Sequence, residues 1–150
     1  MSEFTIEILV DEAYQVDADA LRLCSWEALR LGGAASPCAI TITVTSSEAV
    51  HDLNRQYAGI DSTTDVLSFA AEDEAYNTEP GEPPYLGDVV IAYPVAAAQA
   101  SEQGIVILAE LQTLAVHGTL HLLGYDHDTP ENQAEMWAYQ SAALDAARSG

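Results

Sequence analysis

The sequence predicts a single α+β domain in which a small mixed β-sheet packs with helices. Three observations predict it. The chain has 150 residues and is 49% hydrophobic, which suits one ordinary core. Strand-like and helix-like segments alternate over its first two thirds, and the remainder reads as helices separated by glycine and proline signals.

The elements follow in order. Phe4-Thr5-Ile6-Glu7-Ile8 alternates as a half-buried strand does. Asp17 or Asp19 caps a helix with one apolar face built from Leu21, Leu23, Cys24, Ala28, Leu29 and Leu31, and Gly32-Gly33 ends it. Residues Ala39 to Val44 form a second strand rich in β-branched side chains. Thr45 and Glu48 have capping-box spacing and open a short helix to about Tyr57.

Asp65 to Phe69 and Asp88 to Ala92 read as two further strands. Between them, Ala71 to Tyr85 carries five acids, three prolines and a glycine, the composition of an exposed loop. A short helix is expected near 94–102. A long one runs from about Ile105 to Leu123 and stops at Gly124. Asp128-Thr129-Pro130 then starts a final helix to about Arg148. Trp26 and Trp137 fall in amphipathic helices and are expected in the core.

Composition narrows the function classes. The chain has no lysine and only Arg22, Arg30, Arg55 and Arg148, against 24 acids, for a net charge of −20. Such a surface repels polyanions at long range, and nucleic-acid binding normally draws on several cationic contacts to phosphate. Charge alone therefore argues against a nucleic-acid partner. Cys24 and Cys38 lack CxxC spacing and are read as buried free thiols. The N-terminus lacks the basic start and apolar core of a signal peptide. The apolar stretch from Ile105 to Leu123 is broken by Glu110, Gln112, His117 and His121. A membrane span needs about 20 mostly apolar residues, so a buried helix and a cytoplasmic location are expected, with no membrane partner.

Three of the four histidines lie in His117-Gly-Thr-Leu-His121-Leu-Leu-Gly-Tyr-Asp-His127. Residues four apart on a helix share a face, so His117 and His121 present their rings to one point. Gly124 ends the helix, and His127 returns a third ring from the following loop. Three neutral imidazoles about 2.0–2.1 Å from Zn²⁺ leave a fourth position for water, which is a catalytic coordination set. The expectation is one zinc ion per chain in a metalloprotease-like arrangement on a helix and its following loop. The HExxH pattern of metalloproteases places a general-base Glu after the first histidine, whereas this chain has Gly118. That absence counts against ordinary peptidase activity. His51, alone on the second helix, is expected to be a surface or half-buried residue.

At these residues the chain resembles the YbeY family of bacterial endoribonucleases, also called rRNA maturation factors. The family pattern H-G-x-L-H-L-x-G-Y-D-H is present from His117 to His127. Leu53-Asn54, Thr64 to Phe69, Leu86 to Ile91 and Glu135-Met136 are similar in order and spacing, so the resemblance spans roughly residues 4–145. It implies one metal-dependent hydrolase domain over residues 1–150. The implied activity is zinc-dependent, single-strand endoribonuclease cleavage in small-subunit rRNA 3′-end maturation and ribosome quality control. It also implies rRNA as substrate and association with ribosomal small-subunit proteins or the GTPase Era, with no DNA partner. Substrate delivery by a ribosomal partner would answer the charge objection.

One position departs from the family. Tyr57-Ala58-Gly59 stands where the family usually has Tyr-Arg-Gly, with the arginine placed towards the metal cleft. A guanidinium there would orient phosphate and stabilise transition-state charge, which alanine cannot do. Arg55, three residues earlier, is the candidate substitute. Asp126 is the acid nearest the histidines in sequence, and two roles are open to it: orienting a ligand imidazole or water, or bonding its own turn backbone. Asp65 and Asp88 are read as structural strand-end acids. Ser68 has no evident base partner. Two alternatives to the ribonuclease stand beside it: a metal-dependent hydrolase of another substrate, and a non-enzymatic ribosome-assembly factor whose metal orders the fold.

Overall fold

The computed structural model describes residues 4–71 and 83–149. Most of the acid- and proline-rich stretch between the third and fourth strands lies outside them. The described chain runs β1 (Phe4–Val10), α1 (Ala18–Leu31), β2 (Cys38–Thr45), α2 (Ser47–Leu53), a single π-helical turn (Asn54–Ala58), β3 (Val66–Ala70), β4 (Tyr85–Ala92), α3 (Tyr93–Gln103), α4 (Ile107–Leu122) and α5 (Pro130–Ser149). This is the predicted α+β order.

The four strands form one mixed sheet in the order β1-β2-β4-β3. β1, β2 and β4 are parallel neighbours, and β3 pairs antiparallel with β4 at the edge. Successive strand side chains point to opposite faces. Val89 and Ile91 therefore join the larger core with Ile40, Ile42 and Val44, against Leu21, Leu29, Leu111, Leu120 and Met136 from the helices. Val90 and Ala92 face the other way, into a smaller cluster with Val50, Leu53, Leu67 and Phe69. Cys24 and Cys38 are free and buried. Burial in an apolar setting pushes the Cys24 thiol up to about 12.

Three local differences from the sequence expectation have physical causes. Thr45 is still paired with Ala92 in the sheet, so the chain cannot turn into a helix there. Ser46 is the cap instead, its side chain accepting the Ala49 N–H at 3.1 Å. The second helix is α-helical only to Leu53. Its last turn widens to π geometry, and buried Asn54 donates its amide to the Ser62 carbonyl at 2.9 Å. Strand β4 begins at Tyr85 rather than Asp88. Gly87 extends it, with φ of 145° and a β3 backbone so close that any Cβ would run into the Phe69 carbonyl oxygen.

Among the described residues, no single helix is long and apolar enough to cross a membrane. Asp17 caps α1, its carboxylate accepting the Ala20 N–H at 3.1 Å. Thr129 caps α5, accepting the Asn132 N–H at 3.1 Å just before Pro130.

Candidate metal centre

Helix α4 lies under β3 and β4, and its C-terminal end carries the histidines. Leu114, Val116 and Leu120 turn inward, which leaves His117 and His121 together on a half-buried face. The helix stops as the sequence predicts. Gly124 takes φ of 99° and donates its N–H to the His121 carbonyl, while Tyr125 N–H reaches the Leu120 carbonyl at 3.1 Å. The Tyr125 hydroxyl then donates to the Gly32 carbonyl at 2.9 Å, tying the loop to the end of α1. This bend returns His127 to the other two histidines.

One ligand atom from each of His117, His121 and His127 lies within 4.8 Å of the others. The Nε2 atoms of His117 and His121 are 3.1 Å apart. Metal–nitrogen bonds of 2.0–2.1 Å in tetrahedral geometry put ligand nitrogens about 3.3 Å apart, so this pair is already at chelating separation. His117 Nδ1 is 3.0 Å from Gln140 Oε1. An amide oxygen only accepts, so the Nδ1 atom carries the proton and Nε2 presents a lone pair towards His121. Burial lowers the pKa of His117 and of His121 below the ordinary value, with neighbouring histidines acting the same way. Neutral imidazole is the form that coordinates a metal. The cluster therefore fits a metal ion, and Gln140 and Trp137 complete its surroundings. The Trp137 ring sits 5.6 Å from His117 and 5.9 Å from His127 by ring centroids.

Those two α5 residues were not found by sequence reasoning. Trp137, expected in the core, is 41% exposed at the histidine site. Trp26 is half-buried, packed edge-on against Phe4. The available signal was on α5 itself: Met136, Ala143 and Ala147 are buried at helical spacing, and Gln140 is the polar residue in that stripe.

A cleft of about 500 Å³ opens beside the histidines, lined by Thr64, Asp65 and β3 on one side and by α4 and His127 on the other. Both Asp65 oxygens are engaged, Oδ1 accepting the Val66 N–H at 2.8 Å and Oδ2 the Gln99 amide at 3.3 Å. The Ser68 hydroxyl donates to the Gly118 carbonyl at 3.0 Å. Gly118 faces the sheet, where an added Cβ would lie 2.5 Å from Val89 Cγ1. The position that carries the base in HExxH is thus closed by packing.

Asp126 is exposed, and its Oδ1 accepts the His127 backbone N–H at 2.7 Å, close enough to the cluster for its charge to act on both His117 and His121. The other candidates sit elsewhere. The Arg55 guanidinium is 3.0 Å from Asp52 and 3.9 Å from Asp61. His51 is half-buried and bonded to the same Asp61 at 2.7 Å. Arg22 and Arg30 pair with Asp19 and Glu27. No arginine lines the histidine cleft among the described residues.

Comparison with known proteins identifies the fold and the family. The solution structure of TM1509 from Thermotoga maritima is similar in fold, with a TM-score of 0.62 at 23% identity over 95% of this chain and 89% of that one. A protein of Moorella thermoacetica named endoribonuclease YbeY is 47% identical over 75% of this chain and 74% of its own. One of the same name from Chloroflexus aggregans is 40% identical over 95% of both chains. The family model described as endoribonuclease YbeY matches residues 10–148, from the end of β1 to the end of α5. With the histidine cluster inside that match, the chain belongs to the YbeY family.

Proposed function

We propose that this chain is a zinc-dependent endoribonuclease that cuts single-stranded RNA in the 3′-end maturation of small-subunit rRNA, in the cytoplasm. The observation that carries the reading is the set of three histidines on the rim of an open cleft, in a chain whose relatives are named endoribonucleases. When bound, the ion supplies Lewis acidity towards a phosphoryl oxygen and lowers the pKa of water to about 7.

The protein's own residues do the rest. His117, His121 and His127 hold the ion, and Gln140 fixes the His117 tautomer. Asp65 and Ser68 shape the cleft wall, Asp65 accepting from Val66 and Gln99 and Ser68 donating to the Gly118 carbonyl. A peptidase reading suffers from the packing at Gly118, since no glutamate fits beside Val89. The −20 charge leaves phosphate recognition to the ion and to a partner. Basic ribosomal small-subunit proteins, or the GTPase Era, suit that role in a pathway of maturation and ribosome quality control.

A second reading follows from the resemblance: Ala58 stands where the family usually carries an arginine, and the structure pairs Arg55 with Asp52 rather than turning it to the cleft. On that reading the chain is an assembly factor whose metal orders the loop around His127. Mapping rRNA 3′ ends in cells carrying wild type or His117→Ala separates the two. Unprocessed ends in the variant support the nuclease. Normal ends with defective subunit assembly support the second reading.

A further inference from the structure

A second cleft, of about 520 Å³, adjoins the first and shares Ser68 and Ala70 with it. Its other lining residues are Leu53, Tyr57, Phe69, Asp88 and Val90. The two clefts lie on either side of β3, which among the described residues pairs only with β4. Ser68 points to α4 through its bond to Gly118, while Phe69 packs into the smaller cluster on the opposite face. A chain lying across β3 would enter both clefts at once.

The chemistry of the second cleft is not that of the first. Tyr57 is 65% exposed, a large aromatic surface left open to solvent. Its ring is braced edge-on against Phe69, with centroids 5.5 Å apart. The π turn that carries it is anchored through buried Asn54, so the ring is held on a fixed support. Beside Phe69 on the neighbouring strand, Asp88 Oδ1 accepts the Tyr85 hydroxyl at 2.6 Å, and Oδ2 has no partner among the described residues. No lysine or arginine lines the cleft among those residues. A carboxylate without a cation repels phosphate. An aromatic face with an acceptor at its edge suits a flat, uncharged ring that bears N–H donors.

We infer that this cleft receives the nucleobase next to the scissile phosphate, stacked on Tyr57 with an amino edge directed to Asp88. The inference rests on the ribonuclease reading and adds a specificity subsite to it. Stacking requires an unpaired base, which gives a structural reason for single-strand preference. Asp88 favours bases that carry an exocyclic amine over uracil, whose one donor on that edge, N3–H, lies between two carbonyl oxygens that a carboxylate repels.

The test uses short single-stranded RNA containing 2-aminopurine, mixed rapidly with metal-loaded protein, reading fluorescence quenching and cleavage in the same samples. Base–aromatic stacking predicts that Tyr57→Ala weakens binding about tenfold to a hundredfold and removes the quench, raising KM more than it lowers kcat. Tyr57→Phe should restore both. In wild type, cytosine should be preferred over uracil at this position, and Asp88→Asn should remove the preference. Wild-type binding and quenching left intact by Tyr57→Ala would overturn the subsite even if cleavage persists. Tyr57-dependent quenching without cleavage would support the subsite while removing the nuclease reading. No RNA binding by wild type would overturn the subsite.

Discussion

Gln140 Oε1 stands 3.0 Å from His117 Nδ1, a bond between two helices that decides which nitrogen of His117 faces the other histidines. Its loss frees the ring to flip or change tautomer. Such outer partners of metal ligands are worth about 10–100-fold in affinity. Gln140→Leu should therefore weaken metal binding by that factor in a competition titration against a chelator. Gln140→Glu, which keeps an acceptor, should stay near wild type. Unchanged affinity in Gln140→Leu would show that the helix alone sets the ring.

Gly118 sits against Val89, and an added Cβ would meet Val89 Cγ1 at 2.5 Å and Ser68 Oγ at 3.1 Å. Over-packing of this kind costs about 1–3 kcal/mol. Gly118→Ala should lower Tm accordingly in a thermal melt. Gly118→Glu, which writes HExxH into the sequence, should destabilise further and gain no peptidase activity. A stable, peptide-cleaving Gly118→Glu would contradict the packing account.

Arg55 is paired with Asp52 at 3.0 Å, and both side chains are more than half exposed. An exposed pair of this kind is worth little and exchanges readily. In this arrangement the guanidinium does not reach the cleft, so Arg55→Ala should leave RNA cleavage little changed. A loss of about 100-fold, the size expected when a charge-stabilising donor is removed, would mean that Arg55 swings into the cleft.

Glu110 is buried on α4, with Oε1 3.4 Å from the Gln103 amide. Burial raises its pKa above the ordinary 4.5, and Asp65 adds to the rise. The folded state therefore holds this proton more tightly than the unfolded chain. The resulting stability is complete below the ordinary value and is lost as pH rises through the folded value. Glu110→Gln should be more stable than wild type at neutral pH in urea unfolding. The gain should disappear below the ordinary glutamate value. A gain independent of pH would point to packing instead.

Much of this was legible in the sequence because the signals were local. Spacing of four residues, Gly124 and one short loop suffice to gather His117, His121 and His127. The alternation of strands and helices gave the element order. What was not legible depends on distant parts of the chain. The placement of β4 between β2 and β3 follows from the crossover, which no short pattern encodes. The cap moved from Thr45 to Ser46 because a sheet partner, Ala92, holds Thr45 in the strand. Gln140 and Trp137 reach the site only through the docking of α5 against α1 and α4, and periodicity cannot say which neighbour a face will meet.

The central claim is that His117, His121 and His127 together hold one metal ion, and elemental analysis of the purified protein tests it most directly. Wild type should carry about one equivalent of zinc, as a single three-imidazole site requires. His117→Ala, His121→Ala and His127→Ala should each lose most of it while remaining folded by circular dichroism. Metal-free wild type under metal-replete conditions, or full occupancy in all three variants, would contradict the account.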